Sequence, residues 1–189
     1  LIPKQKLKVV FDCSNGTTGI ILKKLFPSSK VDVIFINGKP DGNFPVHGPN
    51  PLAKGATKQL EKEVQKQKAD LGVAFDADGD RALFVDNLGR PAPAYVIAYL
   101  IFKNRRPPFV VDEPLFKIFQ HLKVIDLKNI ISTRVGYAFI QAAMRQSNAA
   151  STAEYSGHYG FEETFRADSA LFAFIQVLNN LSATKQTLA

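Results

Sequence analysis

The chain has 189 residues, 46% of them apolar and 22% charged, with a formal net charge of +7. That balance excludes a mostly disordered chain, a collagen-like fibre and a coiled coil, and no apolar run is long enough to span a bilayer. The single cysteine, Cys13, excludes an internal disulfide and fits a reducing, cytoplasmic setting. No basic-then-apolar leader opens the chain, which starts at Leu1; a piece of a longer protein is expected. The positive charge is uneven: residues 1–70 carry twelve Lys/Arg against six Asp/Glu. Lys54, Lys58, Lys62 and Lys66 fall at helix-surface spacing, but no aromatic lies between Ala53 and Ala69. Nucleic-acid modules interleave aromatics with basic residues, so the row is read as a solvated helix face. No nucleic-acid or membrane partner is expected.

In chain order, Lys8–Asp12 is a short apolar run before a Ser-Asn-Gly loop, the mark of a buried strand. A helix is predicted over Thr18–Phe26, stopped by Pro27, and a β-branched strand over Val31–Ile36. Residues 37–51 are rich in Gly, Pro and Asn and form a long loop. A helix is predicted over Leu52–Lys68, then strands over Leu71–Phe75 and Ala82–Asp86. The order then recurs: helix Ala94–Lys103, strand Phe109–Asp112, helix near Leu115–His121, strand material around Ile125–Ser132, and a helix from Val135 to Arg145. Ala153–Phe165 reads as strand, loop, strand, and a closing helix runs from Asp168, as N-cap, to Leu181. The expectation is α/β, with two similar units divided at residues 92 and 93.

The sharpest motif is Asp76-Ala77-Asp78-Gly79-Asp80-Arg81, at the end of a buried apolar strand. Alternate carboxylates in an extended chain point the same way, and Gly79 lets the loop curl. Three converging oxygen donors suit a hard divalent cation such as Mg²⁺, and three anions packed together without a cation repel one another. Arg81 offsets part of that charge or holds a phosphate. The ordinary alternative is a solvated acidic turn. An EF-hand is excluded, since its sixth and twelfth positions would need Gly and Glu, where Arg81 and Asn87 stand.

Glu154-Tyr155-Ser156-Gly157-His158 places a carboxylate, a hydroxyl and an imidazole at alternate positions. Such groups hydrogen-bond sugar hydroxyls, and a histidine exchanges protons near neutral pH. Pro40 to Leu52 is stiffened by four prolines, with Gly42 and Gly48 supplying unusual backbone angles; it is read as a scaffold loop. Cys13 reads as a buried small residue. His47 and His121 show no zinc-ligand spacing.

Together these three motifs resemble the α-D-phosphohexomutase family, in its phosphomannomutase/phosphoglucomutase branch. The D-x-D-x-D-R metal loop is matched by Asp76, Asp78, Asp80 and Arg81, the G-E-x-S-G-H sugar loop at Glu154, Ser156, Gly157 and His158, and the P-D-G-x-F-P…P-N-P loop from Pro40 to Pro51. Family members have four domains, and the chain looks like the second, residues 1–92, and the third, residues 93–189. The resemblance implies two mixed-sheet α/β domains, with domains one and four, which carry the active-site serine and a phosphate-gripping loop, missing.

It also implies transfer of a phosphoryl group between the C1 and C6 hydroxyls of a hexose phosphate, with Mg²⁺ on Asp76, Asp78 and Asp80 and a glucose 1,6-bisphosphate-type activator. Arg81 and His158 would be catalytic, and Glu154, Ser156 and His158 would bind the sugar. The chain by itself is expected to be inactive. Pro114 and Tyr137 stand where the family usually carries Lys and His, and Ala153 replaces a usual Gly. The alternative is a naturally short, non-catalytic relative that binds a sugar phosphate or a protein partner.

Overall fold

The computed structural model describes residues 6–26, 31–184 and 186–189. The first sheet contains β1 (Leu7–Asp12), β2 (Val31–Ile36), β3 (Leu71–Phe75) and β4 (Ala82–Val85), in the order β2-β1-β3-β4. The second contains β5 (Phe109–Asp112), β6 (Ile130–Thr133), β7 (Ser151–Ala153) and β8 (Tyr159–Phe161), in the order β6-β5-β7-β8. In each sheet the first three strands are parallel and the last is antiparallel. The internal repeat expected from element order is therefore a repeat of topology.

Helices α1 (Thr18–Leu25) and α2 (Lys58–Gln67) make the crossovers of the first sheet. After the connecting α3 (Ala94–Phe102), α4 (Glu113–Leu122) and α5 (Tyr137–Ser147) make those of the second. Strands buried on both faces need near-continuous apolar runs, which the middle of β1 and β3 supply: Val9, Val10, Phe11, Leu71, Val73 and Phe75 are fully buried. Val10, Ala74 and Val85 face Leu60 and Val64 of α2, and Val110 faces Ile140 and Met144 of α5. The opposite faces of both sheets share one core. The closing helix α6 (Ala170–Thr184) runs through it, packing on α3 and against β4. Its Phe174 meets Phe11 of β1 edge-on at 4.9 Å between ring centroids.

Four expectations are corrected. The helix after the Pro-rich loop starts at Lys58, not Leu52, because Gly55 is left-handed at φ +83° and breaks the right-handed path. The stretch before β6 is a 3₁₀ turn at Leu127–Asn129, held by the Asp126 side chain accepting from the Lys128 amide at 3.0 Å. The cap of α6 is Ser169, whose Oγ accepts from the Phe172 amide at 3.2 Å, not Asp168, whose buried Oδ1 has no hydrogen-bond partner. Gly42 is not left-handed; Gly48 (φ +80°) and Phe44 (φ +46°) are. Pro27, the expected stop of α1, lies outside the described residues. Among the described residues no helix is long and apolar enough to cross a membrane.

Candidate functional site

The two motif loops occupy equivalent places in the two sheets. Residues 76–81 join β3 to β4, and residues 154–158 join β7 to β8. Each therefore leaves the carboxyl end of a parallel strand, where ligands of open α/β sheets bind.

Asp76 is buried at the end of β3. Its Oδ1 accepts from the backbone amides of Gly79 and Arg81, both at 3.1 Å, and its Oδ2 accepts from Arg81 Nε at 2.6 Å. Gly79 is left-handed at φ +83°, which a glycine adopts freely and which turns the loop back onto Asp76. Oxygens of Asp76, Asp78 and Asp80 lie within 4.8 Å of one another. The donors are all hard carboxylates, so the cluster is compatible with a site for an oxygen-loving cation. Burial works to raise the Asp76 carboxyl, but a hydrogen bond shared with Asp80 and those from Arg81 hold it below the usual range. Asp80 is pushed up to about 6 by burial, by its hydrogen bond with Asp76 and by the charges of Asp76 and Asp78.

In the second loop, Glu154 is buried and Ser156 Oγ lies 2.8 Å from His158 Nδ1. Burial pushes Glu154 up to about 7, with help from the charges of Asp168 and Asp112. Burial and the Arg81 charge hold His158 below the usual imidazole range, against the opposing pull of Asp168.

The loops meet. Ala82 N donates to the Gly157 carbonyl at 3.0 Å, Arg81 and His158 form an isolated antiparallel bridge, and His158 Nε2 lies 3.5 Å from Asp80 Oδ1. The three carboxylates, Arg81, Glu154, Ser156 and His158 thus lie on two loops that touch.

Several supporting residues escaped the sequence reading. Asp112 caps α4 by accepting from the Leu115 amide and also accepts from the Tyr155 amide, both at 3.0 Å, which fastens the 154–158 loop. The Pro-rich loop braces residues 76–81: Pro49 accepts from the Ala77 amide at 3.1 Å, and Asn50 Oδ1 accepts from Arg81 Nη1 at 3.2 Å. His47 Nε2 lies 3.0 Å from Oδ2 of the fully buried Asp12, pinning that loop to the end of β1. Pro114 sits in the first turn of α4, where a missing N–H costs nothing, and Tyr137 is exposed at the start of α5. Ala153 lies in β7 with no left-handed backbone, so that position needs no glycine. Cys13 is buried, and burial pushes its thiol up to about 11.

Two family models match the chain: phosphoglucomutase/phosphomannomutase alpha/beta/alpha domain II over residues 1–89, and domain III over residues 119–189. The chain belongs to the phosphoglucomutase/phosphomannomutase family. It is similar to the phosphohexose mutase of Xanthomonas campestris pv. campestris (strain B100), with 32% identity over 97% of this chain and 42% of the relative. It is likewise similar to the phosphomannomutase/phosphoglucomutase of Pseudomonas syringae pv. tomato, with 32% identity over 96% of this chain and 40% of the relative. The chain thus spans about two fifths of the length of these curated relatives. A crystal structure of a phosphoglucomutase/phosphomannomutase family protein from Burkholderia thailandensis shares the fold. It has a TM-score of 0.82 and 23% identity, over 97% of this chain and 42% of that one.

Proposed function

We propose that the chain is the central pair of domains, 1–92 and 93–189, of a phosphohexomutase that interconverts hexose 1-phosphate and hexose 6-phosphate of mannose or glucose. The observation that carries this reading is the joining of the two loops, which brings His158 Nε2 to 3.5 Å from Asp80 Oδ1. Asp76, Asp78 and Asp80 hold Mg²⁺, which when bound offsets the charge of a phosphoryl group in transfer. Arg81 faces the same group with a second positive charge. Glu154 and Ser156 hold the sugar hydroxyls. His158, whose burial favours the neutral imidazole, holds or takes the hydroxyl proton at Nε2, since Nδ1 is engaged by Ser156. The phosphoserine that donates and recovers the phosphoryl group belongs to the first domain, and a glucose 1,6-bisphosphate-type activator primes it.

The test is a coupled mutase assay beside calorimetric titration of Mg²⁺ and glucose 1-phosphate. The 189-residue chain is expected to bind both without turnover, and to turn over once joined to a serine-bearing first domain and a phosphate-binding fourth domain. Robust turnover by the chain alone overturns this reading. A second reading, a non-catalytic sugar-phosphate binder, draws on Pro114 and Tyr137; it predicts binding without turnover even after the outer domains are added.

A further inference from the structure

We infer that Arg81 sets the charge that the metal loop accepts: its guanidinium is a resident cation that leaves room for one divalent ion and weakens the hold on it. The inference rests on the metal reading above. Asp76, Asp78 and Asp80 gather three negative charges within 4.8 Å. Arg81 places one positive charge among them, with Nε 2.6 Å from Asp76 Oδ2 and 3.9 Å from Asp80 Oδ1. The guanidinium is fastened from its far side, where Nη1 donates to Asn50 Oδ1. Its backbone is fastened too, through the hydrogen bond its N–H donates to Asp76 Oδ1 and the bridge to His158. The Arg81 side chain is only 25% exposed, so water screens its charge little.

Three carboxylates and one guanidinium leave a formal charge of −2, which a single divalent cation cancels. The guanidinium also takes one lone-pair direction of Asp76 Oδ2. Repulsion between Arg81 and an arriving ion grows with the charge of that ion. Its cost is therefore larger for a trivalent than for a divalent ion. A residue that only shaped the loop would change both affinities in parallel.

The test is calorimetric titration of Mn²⁺ and of Tb³⁺ into the native chain, Arg81→Gln, Arg81→Lys and Asn50→Asp. Arg81→Gln keeps an N–H donor at about the Nε position but removes the charge and the Nη1 bond to Asn50; it is expected to bind Mn²⁺ about tenfold tighter, with a larger gain for Tb³⁺. Arg81→Lys keeps the charge and is expected to bind as the native chain does. Asn50→Asp keeps Arg81 and the acceptor atom; its new carboxylate attracts the ion directly and is expected to tighten Mn²⁺ whatever Arg81 does, so it serves as the control for added negative charge. Should Arg81→Gln fail to fold, Arg81→Met, equally uncharged, decides. Native binding that the uncharged variants do not tighten, or losses parallel for both ions, overturns the role of Arg81 and leaves the metal reading standing. No binding of either ion by any of the four proteins overturns the metal reading itself, and the inference with it.

Discussion

His158 Nε2 stands 3.5 Å from Asp80 Oδ1 although the two residues lie in hairpin loops of different sheets. They come from the same hairpin of two repeated units, β3–β4 in one and β7–β8 in the other. The strand ends differ in chemistry and agree in geometry. One supplies carboxylates and a guanidinium, the other a carboxylate, a hydroxyl and an imidazole.

Gly157 lies at the seam between them. Its φ is +87°, and an added Cβ would stand 3.1 Å from the Ala82 carbonyl oxygen and 3.0 Å from Leu83 Cδ2. Gly157→Ala is expected to cost roughly 1–3 kcal/mol through the strained backbone. The Ala82 amide, which donates to Gly157, should exchange with solvent faster. Urea unfolding and amide exchange check this; an unchanged Ala82 rate would show that the loops do not depend on the glycine.

Glu154 gives a pH dependence of defined sign. Burial raises its folded value from 4.5 to about 7, so between those values the folded state binds more proton than the unfolded one. Stability contributed by this group is therefore present below about 4.5 and falls as pH rises towards about 7. Urea midpoints across that window should drop in the native chain more steeply than in Glu154→Gln. Equal slopes would mean that Glu154 titrates normally.

Phe174 ties α6 of the second unit to β1 of the first. It is fully buried, edge-on to Phe11 at 4.9 Å and to Phe26 at 5.6 Å. Phe174→Ala is expected to cost about 3–5 kcal/mol and to separate the unfolding of the two sheets. Calorimetry should show one transition in the native chain and two in the variant. A single transition in both would place the coupling elsewhere in the shared core.

Strand and helix positions were legible because buried parallel strands need unbroken apolar runs. Val9, Val10, Phe11 and Leu71–Phe75 have no other use in a folded chain. The helix start at Lys58 was not legible, because Leu52 and Ala56 continue a helical spacing and only the left-handed turn at Gly55 interrupts it. The 3₁₀ turn before β6 was hidden for a similar reason: Ile125 and Leu127 are apolar, yet a side-chain bond from Asp126 decides their path.

By itself the sequence determined the two α/β units, the three spaced carboxylates of Asp76–Asp80, and the polar triplet of Glu154, Ser156 and His158. Each is a local pattern, written in the order of neighbouring residues. Only the tertiary structure decided that these motifs touch, that Asn50 holds Arg81, that His47 pins its loop on Asp12, and that Asp112 fastens the amide of Tyr155. Those contacts join residues up to 78 positions apart, as for Asp80 and His158. Hydrogen bonds and ion pairs act over a few ångströms of space and carry no periodic signature along the chain, so they exist only once each sheet has formed and, for Asp80 and His158, once the two sheets have packed on their common core.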